Sequence, residues 1–342
     1  MKIPISTAIK AVIAVIKAKL VALIVGPPGC GKSDIVHKIA KDFNLKLIDI
    51  RLSQCDPTDL NGFPAIVGNK ATYTPMDTFP LEGDPLPMGE DGIPMNGWLI
   101  FFDELTSAAP AVQAAAYKIL LDRKIGNAML HPNVAMVGAG NREEDNAIVE
   151  EMSTALQSRL VHLELEPTLE EWLEWAAENE IDFRITSYLQ FKPNNYNSFR
   201  ADHTDNTYAC PRTWAFVNKL LKQVDPGDSL AIPLLSGAIS EGVASEFVTF
   251  CRIYQDLPTI SEILRNPLII TVPKEPSVLF ALTGALAHNI SRDNSAILME
   301  YISRLPSEFQ VVCVREIMRV NLNLRADPNI QKWVTKSALI MI

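Results

Sequence analysis

The chain has 342 residues, 48% hydrophobic and 21% charged, a balance that excludes an extended disordered protein and is ample for a sizeable core. Its 31 Lys and Arg against 40 Asp and Glu give a net charge of −9, which disfavours a nonspecific wrap around DNA or an anionic membrane. Cys30, Cys55, Cys210, Cys251 and Cys313 are widely spaced without a C-x-x-C pair, so they read as reduced cytoplasmic thiols, not as a disulfide frame or a zinc site.

In chain order, the N-terminal apolar stretch is broken by Lys10, Lys17 and Lys19. It is too short for an export signal and falls well below the ~20 apolar residues that span a bilayer. Ile5, Ala8, Val12, Ile16 and Leu20 recur at helical spacing and predict a packed amphipathic helix. Strands are expected over Leu20–Val25, Lys46–Ile50, Trp98–Phe102, Asn133–Gly138 and Leu160–Leu165, with helices over Gly31–Phe43 and Pro110–Leu121. That alternation is the pattern of an α/β fold, a five-stranded parallel sheet between helices. Ala65–Tyr73 reads as two short strands around Gly68-Asn69. Thr74–Asn96 carries Pro75, Pro80, Pro85, Pro87 and Pro94 and is expected to be neither helix nor central strand.

After Pro167 helical patterns dominate: Leu169–Glu178, Ile185–Phe191, Arg212–Gln223, Pro233–Tyr254, Pro276–Asn289, Ala296–Leu305 and Glu308–Asn321. The polar, Asn-rich segment Lys192–Pro211 reads equally as a solvated linker or as something more. Boundaries near Glu166 and Pro258 divide the chain into an α/β core (1–166), an all-helical segment (167–257) and a helical C-terminal extension (258–342).

The strongest chemical signal is Gly26-Pro27-Pro28-Gly29-Cys30-Gly31-Lys32-Ser33, which fits G-x-x-x-x-G-K-[ST] between a strand and a helix and is followed by Asp34. Glycines let backbone N–H groups curl toward a phosphate, and the helix N-terminus adds its dipole. Lys32 would reach the β- and γ-phosphates of ATP and the Ser33 hydroxyl would hold Mg²⁺. Cys30 is small enough to fit this loop. A second signal, Trp98-Leu99-Ile100-Phe101-Phe102-Asp103-Glu104, is an apolar strand that ends in two carboxylates. Asp103 suits a Mg²⁺ water shell and Glu104 suits polarisation of an attacking water, although taken alone such a pair is as readily a loop start. In the third, Val137-Gly138-Ala139-Gly140-Asn141, an amide at a strand tip could bond the lytic water or the γ-phosphate, or simply form a turn.

In this order and spacing, the three motifs resemble the core of AAA+ ATPases. The flanks are similar to the MoxR-like branch: Asp59-Leu60-Asn61-Gly62, the hairpin from Gly62 to Thr74, and Cys210-Pro211-Arg212-Thr213. The resemblance covers roughly residues 1–255. It implies that Asp103 and Glu104 form the B motif, Asn141 is sensor 1, Arg159 is an arginine finger and Arg212 is sensor 2, with Arg123 and Arg142 as rival fingers. Guanidinium forks suit the charge that develops on a transferring phosphoryl group. The resemblance further implies a ring, a hexamer, that remodels or activates a protein partner, often one with a von Willebrand A domain. One departure is that Asn141 is followed by Arg142-Glu143-Glu144-Asp145, not by the branch's commoner Asn-Pro. Two rivals remain: a nucleic-acid motor or McrB-like restriction component, disfavoured by the charge, and a nucleotide-binding regulatory or structural module without turnover, disfavoured by Glu104.

Overall fold

The computed structural model describes residues 1–145, 150, 152–203 and 205–338. They gather into two units, residues 1–168 with 200–203, and residues 169–199 with 204–342.

In the first unit the strands are β1 (Lys2–Ile3), β2 (Val21–Val25), β3 (Leu45–Arg51), β4 (Phe63–Val67), β5 (Lys70–Thr74), β6 (Gly97–Asp103), β7 (Lys124–Ile125), β8 (Ala128–Met129), β9 (Val134–Gly140) and β10 (Leu160–Leu165). The helices are α1 (Ile5–Lys17), α2 (Lys32–Asp42), α3 (Pro57–Asn61), α4 (Pro110–Asp122) and α5 (Thr154–Gln157). The main sheet is parallel throughout, in the order β1-β10-β2-β9-β6-β3. It has six strands where five were expected, because Lys2–Ile3, too short to show a pattern, pairs with Glu164 and Leu165.

Side-chain alternation along β6 explains why the sheet must be covered on both faces. Leu99 and Phe101 point into a core shared with Ala8, Val12, Ile35, Val36 and Ile39 of α1 and α2. Trp98, Ile100 and Phe102 enter a second core with Val112, Ala115, Ala116 and Ile119 of α4. β4 and β5 form an antiparallel hairpin, and β7 and β8 a shorter one that the sequence did not announce. Residues 75–96 are irregular, pinned by isolated bridges between Leu81 and Leu130 and between Met88 and Pro94.

The second unit is helical: α6 (Leu169–Glu178), α7 (Phe183–Phe191), α8 (Pro211–Leu221), α9 (Ala231–Ile239), α10 (Glu241–Arg252), α11 (Ile260–Arg265), α12 (Pro276–Asn289), α13 (Ser295–Ile302), α14 (Ser307–Val320) and α15 (Pro328–Ala338). The single helix expected over Pro233–Tyr254 is two. Ser240 adopts φ 71° and breaks the run, while the apolar spacing carries on in phase from Leu235 and Ile239 to Ala244, Phe247 and Cys251. Pro233 is tolerated because it lies in the first turn, where no backbone donor is required. The connection Lys192–Pro211 is more than a linker: Tyr196 is buried, the Phe199 and Tyr208 rings lie 4.7 Å apart, and the Ser198 N–H donates to Ala209 O at 2.8 Å.

One apolar cluster gathers α6 to α10, a second gathers α11 to α15, and α12 contributes to both. All five cysteines are free, four of them buried. Among the described residues no helix is long and apolar enough to cross a membrane.

Candidate functional site

The site lies at the C-terminal ends of β2, β9 and β6, where a parallel sheet presents its loops. The loop Gly26–Gly31 leaves β2 and enters α2. Gly31, the residue before α2, holds φ 91°, a left-handed conformation that suits a glycine and turns the chain into the helix. Lys32 Nζ reaches back over the loop and donates to Gly26 O at 2.7 Å, Pro27 O at 3.1 Å and Asn141 Oδ1 at 2.9 Å. The lysine of the first motif and the amide of the third are thus in direct contact although 109 positions apart. Ser33 is half-buried in the first turn of the eleven-residue α2, and Asp34 is exposed beside it. Cys30 is 1% exposed, and burial outweighs the nearby Lys32 charge and pushes its thiol pKa up, so it is packing, not a thiolate.

β6 delivers the carboxylates. Asp103 is half-buried, and its pKa is raised by burial and by the charges of Glu104 and Asp49, against the opposing Glu104 N–H bond and Lys32 charge. The Glu104 N–H donates to Asp103 Oδ1 at 2.8 Å. Glu104 itself sits at φ 57°, a strained conformation for a residue with a side chain, and one that turns the chain sharply off the strand. Its carboxylate accepts from the Ser53 hydroxyl and lies 3.7 Å from Arg51 Nε. Ser53 and Arg51 were not among the residues the sequence offered. The only hint was that β3 ends beside β6, with Arg51 opposite Asp103 in the register.

Thr106 was also missed. It is 5% exposed, and its hydroxyl accepts from the Asn141 N–H at 3.0 Å and donates to Asn141 O at 3.2 Å.

The three finger candidates differ in what holds them. Arg142 donates to Leu165 O at 2.7 Å and pairs with Glu164 at 3.1 Å and Glu144 at 3.5 Å. Arg123 donates to His131 O at 3.1 Å and Val134 O at 2.8 Å. Arg159 is exposed just before β10, donates to Ala155 O at 2.8 Å and lies over the Tyr117 ring at 5.6 Å. Among the described residues it has no acidic partner. Arg212 is exposed in the first turn of α8, in the second unit.

The donor set fits a Mg²⁺–nucleotide. The loop offers backbone, a lysine and a helix N-terminus for phosphate, and Ser33 and Asp103 are hard oxygen donors of the kind Mg²⁺ takes alongside phosphate and water. Among the described residues no group of three or more His, Cys, Asp or Glu could hold a metal by itself.

Residues 22–160 match the AAA domain family, dynein-related subfamily. No curated protein matches the chain significantly. Among solved structures, the Thermotoga maritima RuvB Holliday junction branch migration motor is 18% identical with a TM-score of 0.40, over 82% of this chain and 80% of that one. A candidate ATPase of Cytophaga hutchinsonii is 15% identical with a TM-score of 0.36, over 100% of this chain and 90% of that one. Both likenesses are too distant to add to the family match.

Proposed function

From the match of residues 22–160 to the AAA domain family, we infer that the chain is an AAA+ ATPase that hydrolyses ATP with Mg²⁺ at the ends of β2, β9 and β6. It works as a ring of copies, a hexamer of the MoxR-like kind, that remodels or activates a protein partner in the cytoplasm. The observation that carries this reading is the 2.9 Å contact between Lys32 Nζ and Asn141 Oδ1, with Asp103 and Glu104 on the neighbouring strand.

The geometry supports the following roles. Lys32 and the N–H groups of Gly26–Ser33 bind the phosphates. Ser33 and Asp103 would hold Mg²⁺, which would draw charge from the phosphate oxygens when bound. Glu104 takes the proton of the attacking water, and the two groups that hold its carboxylate, Ser53 and Arg51, are both exposed. Asn141 orients that water or the γ-phosphate. Arg159 serves the site of a neighbouring copy: it is exposed and spends its guanidinium on one backbone carbonyl and one ring, whereas Arg142 and Arg123 are committed within their own copy. Arg212 is the sensor-2 residue by resemblance alone, as are the von Willebrand A partner and the division into lid (167–257) and extension (258–342).

The test exploits the trans geometry. Lys32→Ala copies lose the pocket but keep the finger, and Arg159→Ala copies do the reverse. Mixing the two inactive proteins should restore part of the phosphate release. No recovery, with subunit exchange shown independently, overturns the trans role of Arg159. ATP binding without any phosphate release by the wild-type protein, with or without a partner, overturns the hydrolytic reading.

A further inference from the structure

We propose that Thr106 is a positioning residue for the hydrolysis: its hydroxyl fixes the backbone of Asn141 and thereby holds the Asn141 amide against Lys32. The inference rests on the role given above to Asn141.

The need for such a residue comes from where the sheet ends. The β2–β9 ladder runs out at Gly140, opposite Val25, and the β6–β9 ladder stops earlier, at Gly138 opposite Phe102. Asn141 therefore lies beyond both ladders, and its backbone must find partners elsewhere or face water. One buried hydroxyl serves both groups, accepting from the N–H at 3.0 Å and donating to the carbonyl at 3.2 Å. A hydroxyl has one donor and two acceptor sites, and this arrangement uses the donor and one acceptor.

Thr106 is itself held firmly. It sits in the short turn Leu105–Ser107 that follows Glu104, and its own carbonyl accepts from the Glu150 N–H at 2.7 Å. Its side chain also fills the space a Cβ at position 140 would need, which explains why β9 ends in glycine. The turn after the carboxylate strand thus sets the position of the amide after the neighbouring strand. Glu104 and Asn141 are registered to one another by two residues of chain and one hydroxyl.

Displacing a reacting group by ~1 Å costs on the order of 10²-fold in rate. Thr106→Val keeps the shape and deletes the hydroxyl, so kcat should fall by about 10²-fold while KM for ATP stays near the wild-type value. Thr106→Ser restores the hydroxyl and should restore most of kcat. Combined with Asn141→Ala, the Val substitution should cost almost nothing further. In the intact protein without nucleotide, hydrogen exchange should show a protected Asn141 amide that loses protection in Thr106→Val.

If Asn141→Ala cripples turnover and Thr106→Val does not, this proposal fails and the role of Asn141 stands. If Asn141→Ala is harmless, the role of Asn141 fails and takes the proposal with it. Failure of Ser to rescue places the effect in methyl packing and overturns the proposal. Should Thr106→Val not fold, wild-type exchange decides: an Asn141 amide that exchanges as fast as an open loop overturns it.

Discussion

The two units bury their carboxylates on opposite terms. At the end of β6, Asp103 is half-buried beside the charges of Glu104 and Asp49, and burial with those two charges outweighs the Glu104 N–H bond and the nearby Lys32 charge, so its pKa is raised. In the second unit Glu316 of α14, only 3% exposed, accepts from Arg319 Nη1 at 2.6 Å and from Gln190 Nε2 of α7 at 3.1 Å. Arg319 is in turn 3.3 Å from Glu170 of α6. Around Glu316 the helical unit compensates its buried charge with a guanidinium and an amide, and thereby ties three helices together. The sheet unit leaves negative charge under-compensated where a cation and a phosphate would meet. An uncompensated carboxylate at a strand end is the better marker of chemistry, and a compensated one is a marker of architecture.

That contrast can be broken by substitution, and the largest effect is expected at Lys32. Lys32→Ala should abolish measurable ATP binding by calorimetry while the thermal melt stays close to wild type; unchanged affinity would remove the first unit from the comparison. Next, Glu104→Gln should keep ATP binding and lower kcat by roughly 10²–10⁴-fold. Normal turnover would pass the base to Asp103.

In the second unit the expected loss is stability, not chemistry. Glu316→Ala leaves the Arg319 guanidinium buried with only the exposed Glu170, and should cost about 3 kcal/mol in denaturant unfolding, the low end for breaking a buried pair. A neutral result would mean the triad is no tie. A smaller effect is expected at Ser53, whose hydroxyl holds Glu104. Ser53→Ala should raise basal phosphate release by about threefold, the equivalent of one modest hydrogen bond, and a fall instead would make Ser53 an orienting group for the base.

The smallest effect sharpens the contrast itself. The folded-state pKa of Asp103 lies above its unfolded value, so the folded protein holds this proton more tightly. The charged form therefore costs stability above the folded pKa, and that cost disappears as pH falls below the unfolded value. Asp103→Asn should raise Tm slightly at neutral pH, with the gain shrinking to nothing in acid. A gain independent of pH would show that charge is not its cause.

What the sequence revealed follows from how local each signal is. The loop at Gly26–Ser33 and the strand ending in Asp103-Glu104 are contiguous stretches whose residue types and flanks announce themselves. The α/β order of the first half was legible for the same reason, since buried parallel strands are short apolar runs between turn formers. Ser53, Arg51 and Thr106 were invisible because each acts on a residue far along the chain, through a register or a loop that no local pattern encodes. Lys2–Ile3 is too short to carry periodicity, and α11 and α15 lie in stretches whose apolar spacing was too brief or too mixed to stand out. The break at Ser240 was hidden by apolar spacing that stays in phase across it.

The strand order has a consequence for how this chain is made. β2, which carries the phosphate loop, pairs only with β9 and β10, both of which lie far downstream. As the polypeptide emerges from the ribosome, Val21–Val25 appears early, with α1 to pack on but no strand partner until residues 134–165 follow. Both its open edges must be shielded meanwhile, a situation that slows folding and invites aggregation. A nascent fragment ending before β9 should therefore be the species most dependent on holding chaperones, and the loop that binds phosphate would be among the last parts of the first unit to take its shape.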